Sequence, residues 1–118
     1  MTPQDLDQLW ARIVRNRDRY CFVCWHRPYY GVEFDAAHLV SRSAHSLRWN
    51  LKNGAGMHRD CHQKFDNEWS RAQRYELIRL RKGSDFLAWL VKEKNRIAKV
   101  SPEMMALIYE TLKANEPE

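Results

Sequence analysis

Helical periodicity opens the chain. Leu6, Leu9, Trp10, Ile13 and Val14 stand at the spacing that lays one apolar stripe along a helix. Thr2 suits the N-cap, Pro3 the first turn, and Asp5 the returning carboxylate of an approximate capping box, so a helix is predicted over residues 3–19. Arg12, Arg15, Arg17 and Arg19 fall mostly off the apolar stripe.

The pattern breaks near residue 20. From there to Cys61 periodicity is poor, and Pro28, Gly31, Gly54 and Gly56 punctuate the chain. Two runs, 32–35 and 37–40, have the length of short strands and together predict a hairpin or bent ribbon. Residues 41–53 read as a loop whose Leu47 and Trp49 fold back onto the core.

Helical spacing returns after Arg59. One helix is expected to carry Cys61, His62, Phe65 and Asp66, and a second to span Trp69 to Lys82 with Gly83 as its stop. Ser84 is the expected cap of a third, which runs through Phe86, Leu87, Leu90, Val91 and Ile97. Ser101-Pro102-Glu103 opens the last, through Met105, Ile108 and Leu112, ahead of an acidic tail at 115–118 expected to fray. The C-terminal helices together occupy residues 69–114.

Composition narrows the class. A length of 118 residues suits a single domain, 1–118, and 44% hydrophobic residues exclude a disordered polar chain. No apolar run approaches the roughly 18 residues that cross a bilayer. Met1 is followed by acidic and polar residues where a signal peptide would be basic and then apolar, so a cytoplasmic location away from membranes is expected. The net charge of +5 hints at a polyanionic partner without deciding it.

A chain this small favours a staple. Its three cysteines, an odd number, argue against a disulfide framework. Cys21-x-x-Cys24 and His58-x-x-Cys61, 33 residues apart, instead offer four soft ligands that close a tetrahedron around one structural Zn²⁺. A redox pair is the competing reading of Cys21 and Cys24. Such pairs usually follow a strand and open a helix, whereas here a helix comes first. His26 and His45 read as ordinary structural histidines.

Taken together, Cys21-Phe-Val-Cys24, Asp35-Ala-Ala-His38, Asn53 and His58-Arg-Asp-Cys61-His62 resemble the HNH endonuclease motif. In that family two metal-ligand pairs flank a first His, and an Asn precedes the last His by nine residues, as Asn53 precedes His62. The stretch from Asp35 through Ser43, with Leu47-Arg48-Trp49-Asn50, also resembles the NinG/Rap recombination proteins of lambdoid phages, an HNH-like group associated with branched DNA. The resemblance covers residues 20–67. It implies an α+β, mostly α fold, in which a ββα-metal core with a zinc knuckle is flanked by the N-terminal helix and the C-terminal helices. It also implies a bacterial or phage-encoded protein.

Phosphodiester hydrolysis needs an activated water, a cation on the phosphate and stabilisation of the leaving oxygen. His38 is the candidate general base, because imidazole titrates near neutrality. The resemblance implies that Asn53 either orients His38 or braces its loop, and that His62 ligates a divalent ion, Mg²⁺ or Mn²⁺, with other transition metals also compatible. HNH enzymes often carry a metal-binding Asp or His just before the first His, where this chain has Ala37. Asp35 shares the strand parity of residue 37, and Asp66 lies at i+4 from His62, so either can complete the ligand set.

Arg42, Arg48, Arg59, Arg71 and Arg74 are the candidate DNA contacts, with a solvated helix face as the alternative reading of the arginine runs. Nothing resembles a base-reading array, so little sequence preference is expected. No small-molecule cofactor is implied. Three functions compete: a metal-dependent DNA endonuclease; a zinc-stabilised DNA-binding or recombination-accessory module with a degenerate site; and a zinc-stapled protein-interaction domain.

Overall fold

The computed structural model describes residues 1–41, 43–96 and 99–116. Among these, five α-helices and one two-stranded antiparallel sheet make an α+β, mostly helical fold. None of the helices is long and apolar enough to cross a membrane.

Helix α1, Pro3–Arg17, begins as its caps dictate. Thr2 Oγ1 accepts from the Asp5 N–H at 3.1 Å, and the Asp5 carboxylate accepts from the Thr2 N–H at 2.9 Å. It stops two residues earlier than its periodicity predicts, because Asp18 turns extended and is claimed elsewhere. Its carboxylate takes the Arg17 guanidinium at 2.6 Å and the Gly56 N–H at 2.7 Å.

Strand β1 is Phe34–His38, and its partner β2 is Gly54–His58, paired in register from Phe34↔His58 to His38↔Gly54. The expected hairpin of 32–35 with 37–40 is therefore corrected: those runs merge into one strand, and the second comes from a segment read as glycine punctuation. Close packing explains the glycines. A Cβ on Gly54 would sit 2.6 Å from Val14 and 2.7 Å from Trp10, and one on Gly56 would run into the Phe34 ring. α1 thus lies directly on β2. Segment 18–22 covers the outer edge of β2, through Asp18 and through the Phe22 N–H to the Gly56 carbonyl at 2.9 Å.

Helix α2, Arg59–Asn67, follows β2 without a break. Ser70 caps α3, Arg71–Lys82, in a capping box with Gln73. Gly83, at φ 97°, ends α3 and also stands at the N-cap of α4, Ser84–Lys94. Ser84 is accordingly the first helical residue and not the cap expected of it. The expected extension of α4 through Ile97 is corrected: the helix stops at Lys94 with Asn95 as its C-cap, and Ile97 itself lies outside the described residues. Helix α5, Pro102–Ala114, is capped by Ser101, whose hydroxyl accepts from the Met104 N–H at 3.2 Å.

Two buried clusters flank the sheet. Ala36 packs toward one, formed by the α1 stripe, Trp49 and Leu112 of α5. Ala37 belongs to the other, with Met57, Leu47, Phe65, Ile78 and Leu90. The tail is not wholly frayed: Glu116 pairs with Arg12 at 2.6 Å and Lys113 at 3.0 Å, and residues 117–118 lie outside the described set.

Candidate functional site

Four side chains converge where the segment after α1 meets the β2–α2 junction. One ligand atom from each of Cys21, Cys24, His58 and Cys61 lies within 4.8 Å of the others. The Cys21–Cys24 turn is tied by the Trp25 N–H to the Cys21 carbonyl and by the Cys21 N–H to the His26 carbonyl, both at 2.8 Å. Nε2 of His58 lies 3.1 Å from the Arg27 carbonyl, which can only accept, so the ring proton sits there. The lone pair is left on Nδ1, 3.3 Å from Cys24 Sγ, and the carbonyl behind the ring fixes the orientation that an imidazole ligand needs.

The donor chemistry asks for a cation. Burial, with the neighbouring thiols Cys21 and Cys24, pushes the Cys61 thiol up to about 12. Burial also opposes ionisation of Cys21, yet backbone N–H groups near its sulfur, that of His58 included, hold this thiol below its ordinary value. Three crowded thiolates and a neutral imidazole become compatible as ligands around a metal such as Zn²⁺.

One residue beyond Cys61, the next position on α2 turns away to a different cluster. His62 Nδ1 is 2.9 Å from Asp35 of β1, and its Nε2 is 2.9 Å from Asp66 one helical turn on. Asp66 first, then Asp35, hold the proton on this ring against partial burial and push its pKa up to about 9. Asp35 also receives Arg59 at 3.1 Å. Burial pushes its carboxyl up, but the bonds from His62 and Arg59 outweigh it and leave the pKa below the ordinary value.

His38 ends β1 on the side facing α1. Its ring stacks on Trp10, and its Nε2 lies 2.9 Å from the Arg48 carbonyl, which places a ring proton on Nε2. Asp7 holds the Arg48 region: it accepts from the Arg48 guanidinium at 2.7 and 3.0 Å and from the Trp49 indole at 2.8 Å.

Asn53 is fully buried, and its side chain hydrogen-bonds to backbone. Its Oδ1 accepts from the Val40 N–H at 2.9 Å, and its Nδ2 donates to the carbonyls of Val40 at 3.0 Å and Leu47 at 3.3 Å. The side chain copies a strand residue and prolongs the β1 ladder past His38. Of the two roles expected for it, these bonds are those of a brace for the 40–47 loop.

His38, His62 and Asp66 line one cleft of about 650 Å³, together with Asp7, Trp10, Arg71, Arg74, Tyr75 and Lys94. Asp35 does not line it and stands behind His62. The expected arginine contacts divide. Arg71 and Arg74 reach the cleft, although Arg74 also donates to the Trp69 carbonyl at 2.8 Å. Arg48 is bound to Asp7, and Arg59 to Asp35 and Glu33. Arg42 lies outside the described residues. Asp7, Trp10 and Lys94 were not expected at the site. Their only local signals are a helix stripe and a surface charge, and neither marks a cleft.

No protein-family model matches the chain, and no curated protein or solved structure matches it significantly.

Proposed function

We propose that this protein is a metal-dependent DNA endonuclease of the HNH type, with β1, β2 and α2 as its ββα-metal core and little sequence preference. The observation that carries the reading is that His38 and His62, from different elements, line one cleft with Arg71, Arg74 and Lys94. A zinc knuckle beside it pins the strand–helix junction that presents His62.

The donor set beside the cleft fits a divalent ion of the Mg²⁺ or Mn²⁺ kind, with His62 and either Asp66 or Asp35 as ligands. When bound, such an ion supplies positive charge against the scissile phosphate and the leaving oxygen. His62 ligates only as neutral imidazole, so it gives up the proton it now holds between two carboxylates. His38, its ring held at Nε2 against the Arg48 carbonyl, is the group that takes a proton from water. Trp10 fixes the plane of that ring, and Asn53 braces the loop leading to Arg48. Arg71 and Arg74 supply cations for phosphate oxygens.

A second reading has its own support. Ala37 is buried at the position where HNH enzymes often place a ligand, and both nitrogens of His62 already face carboxylates. These features favour a DNA-binding or recombination-accessory module without turnover.

Plasmid nicking across Mg²⁺, Mn²⁺ and Ni²⁺ separates the two. The endonuclease reading requires nicking by the wild type that His38→Ala and His62→Ala abolish while the variants remain folded. Salt-sensitive binding of DNA, with four-way junctions included, and no nicking under any metal establishes the second reading.

A further inference from the structure

Away from the cleft, the zinc knuckle exposes an unusual concentration of aromatic surface. Tyr20, Trp25 and Tyr29 are 37%, 53% and 60% exposed, and Tyr30 is fully exposed. They are interleaved with arginine. Arg27 lies over the Tyr20 ring at 5.5 Å, Tyr20 stacks on Trp25 at 5.4 Å, and Arg81 lies over Trp25 at 4.7 Å. Arg81 is itself pinned, donating to the Phe22 and Val23 carbonyls at 2.9 and 3.1 Å.

The backbone bends to present these rings. Trp25 takes φ 63°, the left-handed region that a bulky side chain rarely adopts and glycine fills without strain. Tyr20 and Arg81 pack on part of the ring, and about half of the residue still faces solvent. Tyr30 stands at the apex of a turn closed by the Val32 N–H to the Tyr29 carbonyl at 3.1 Å, with Gly31 at φ 84° in the position that requires it. A fully exposed tyrosine on a tight turn serves no core.

Charge complementarity identifies the occupant. The groove beside Tyr20 and Trp25 is lined by Arg17, Arg19, Arg81 and Lys82, and its one carboxylate, Asp18, is already bound to Arg17 and the Gly56 N–H. Flat rings at the edge of a cationic groove match a chain of alternating bases and phosphates whose bases are unpaired. A duplex hides its base faces and engages only the cations.

We infer that the aromatic and arginine face of the zinc knuckle is a docking surface for single-stranded DNA, with Trp25 and Tyr30 stacking on bases and Arg19, Arg27 and Lys82 meeting phosphates. The surface does not depend on hydrolysis in the cleft.

The test uses the zinc-loaded full chain without added divalent ion. Binding of a labelled oligothymidylate of about 12 nucleotides is compared with a blunt duplex of equal length. Trp25→Gly keeps the left-handed backbone while removing the ring, and Tyr30→Ala removes a side chain that packs on nothing. The wild type is expected to prefer the single strand. The double variant loses about tenfold or more for the strand, with little change for the duplex and with zinc content unchanged. Should Trp25→Gly lose zinc, Tyr30→Ala alone carries the comparison. Equal strand affinity of variant and wild type overturns the inference, as does a wild type that prefers duplex or binds anionic vesicles but no oligothymidylate. His38→Ala retains strand binding, so a failure of nicking is read separately.

Discussion

The imidazole of His38 lies flat against the indole of Trp10, with ring centroids 4.0 Å apart and planes 6° from parallel. The contact joins the last residue of β1 to the buried face of α1. Trp10 is 2% exposed and also donates through Nε1 to the Asn50 carbonyl at 3.0 Å, so one side chain packs a helix, ties a loop and flanks the candidate base.

Removing that indole therefore acts on stability and on the site together. Trp10→Ala is expected to cost about 3–5 kcal/mol of unfolding free energy. Trp10→Phe keeps an aromatic plane and loses one hydrogen bond, in addition to some packing, for a cost nearer 1–2 kcal/mol. Urea denaturation checks both. If the cleft nicks DNA, Trp10→Phe retains most of that activity and Trp10→Ala loses most of it in the fraction that remains folded.

Asp7 tests the support behind the His38 contact. Its carboxylate collects donors from Arg48 and Trp49, and Asp7→Asn weakens both while keeping the shape. A loss of about 1–2 kcal/mol is expected, because the removed bonds are charge-assisted but partly solvated. A melt indistinguishable from wild type would show that Asp7 does not hold the Arg48 backbone in place.

Gly54 tests the seating of α1 on β2. A methyl group there has no room beside Val14 and Trp10, and the neighbours are core atoms that cannot swing aside. Gly54→Ala is expected to destabilise by about 1–3 kcal/mol, the range for overpacked cores. Equal melting temperatures for variant and wild type would refute the close approach.

Metal stoichiometry checks the Cys21, Cys24, His58, Cys61 cluster directly. One Zn²⁺ per chain is expected by elemental analysis, and none in Cys61→Ser. Chelation should lower the melting temperature markedly, because the four ligands tie the 21–24 turn to the β2–α2 junction. A chelated protein that melts like the untreated one would exclude a structural metal.

His62 makes stability depend on pH in a stated direction. Its folded pKa is raised from the ordinary 6.5 to about 9 by Asp66 and Asp35. A raised pKa means the stabilisation is complete below about pH 6.5 and is lost as pH rises through about 9. The melting difference between the zinc-loaded wild type and Asp66→Asn should therefore be largest on the acid side of this window and shrink across it. A difference that grows with pH would contradict the paired imidazolium.

Much of the helical frame is legible in the chain because it is written in local interactions. The Thr2–Asp5 box, Ser101 and Gly83 each act within one turn of their own position. The apolar stripe of α1 names the face that is buried. The four metal ligands are likewise legible, since two short pairs bring chemistry and spacing together.

Strand β2 is illegible for a physical reason. Gly54-Ala-Gly56 has none of the branched residues that favour strands, and its small size answers the pressure of α1, a helix some 40 residues earlier in the chain. The arginines show the same limit. Arg17, Arg48, Arg74 and Arg81 look alike as cations, yet each donates to a backbone carbonyl or a carboxylate elsewhere in the fold.

The amino-acid sequence by itself determined where the helices lie, though not all of their ends, and the knuckle and the identity of His38, Asn53 and His62 as candidates. Only the tertiary structure decided which strand pairs with β1, that Asn53 braces a loop, that Trp10 and Asp7 build one wall of the cleft, and which arginines remain for a partner. The division follows the range of the forces: caps and periodicity act over a few residues, whereas close packing and buried hydrogen bonds are set by whatever the folded chain brings alongside.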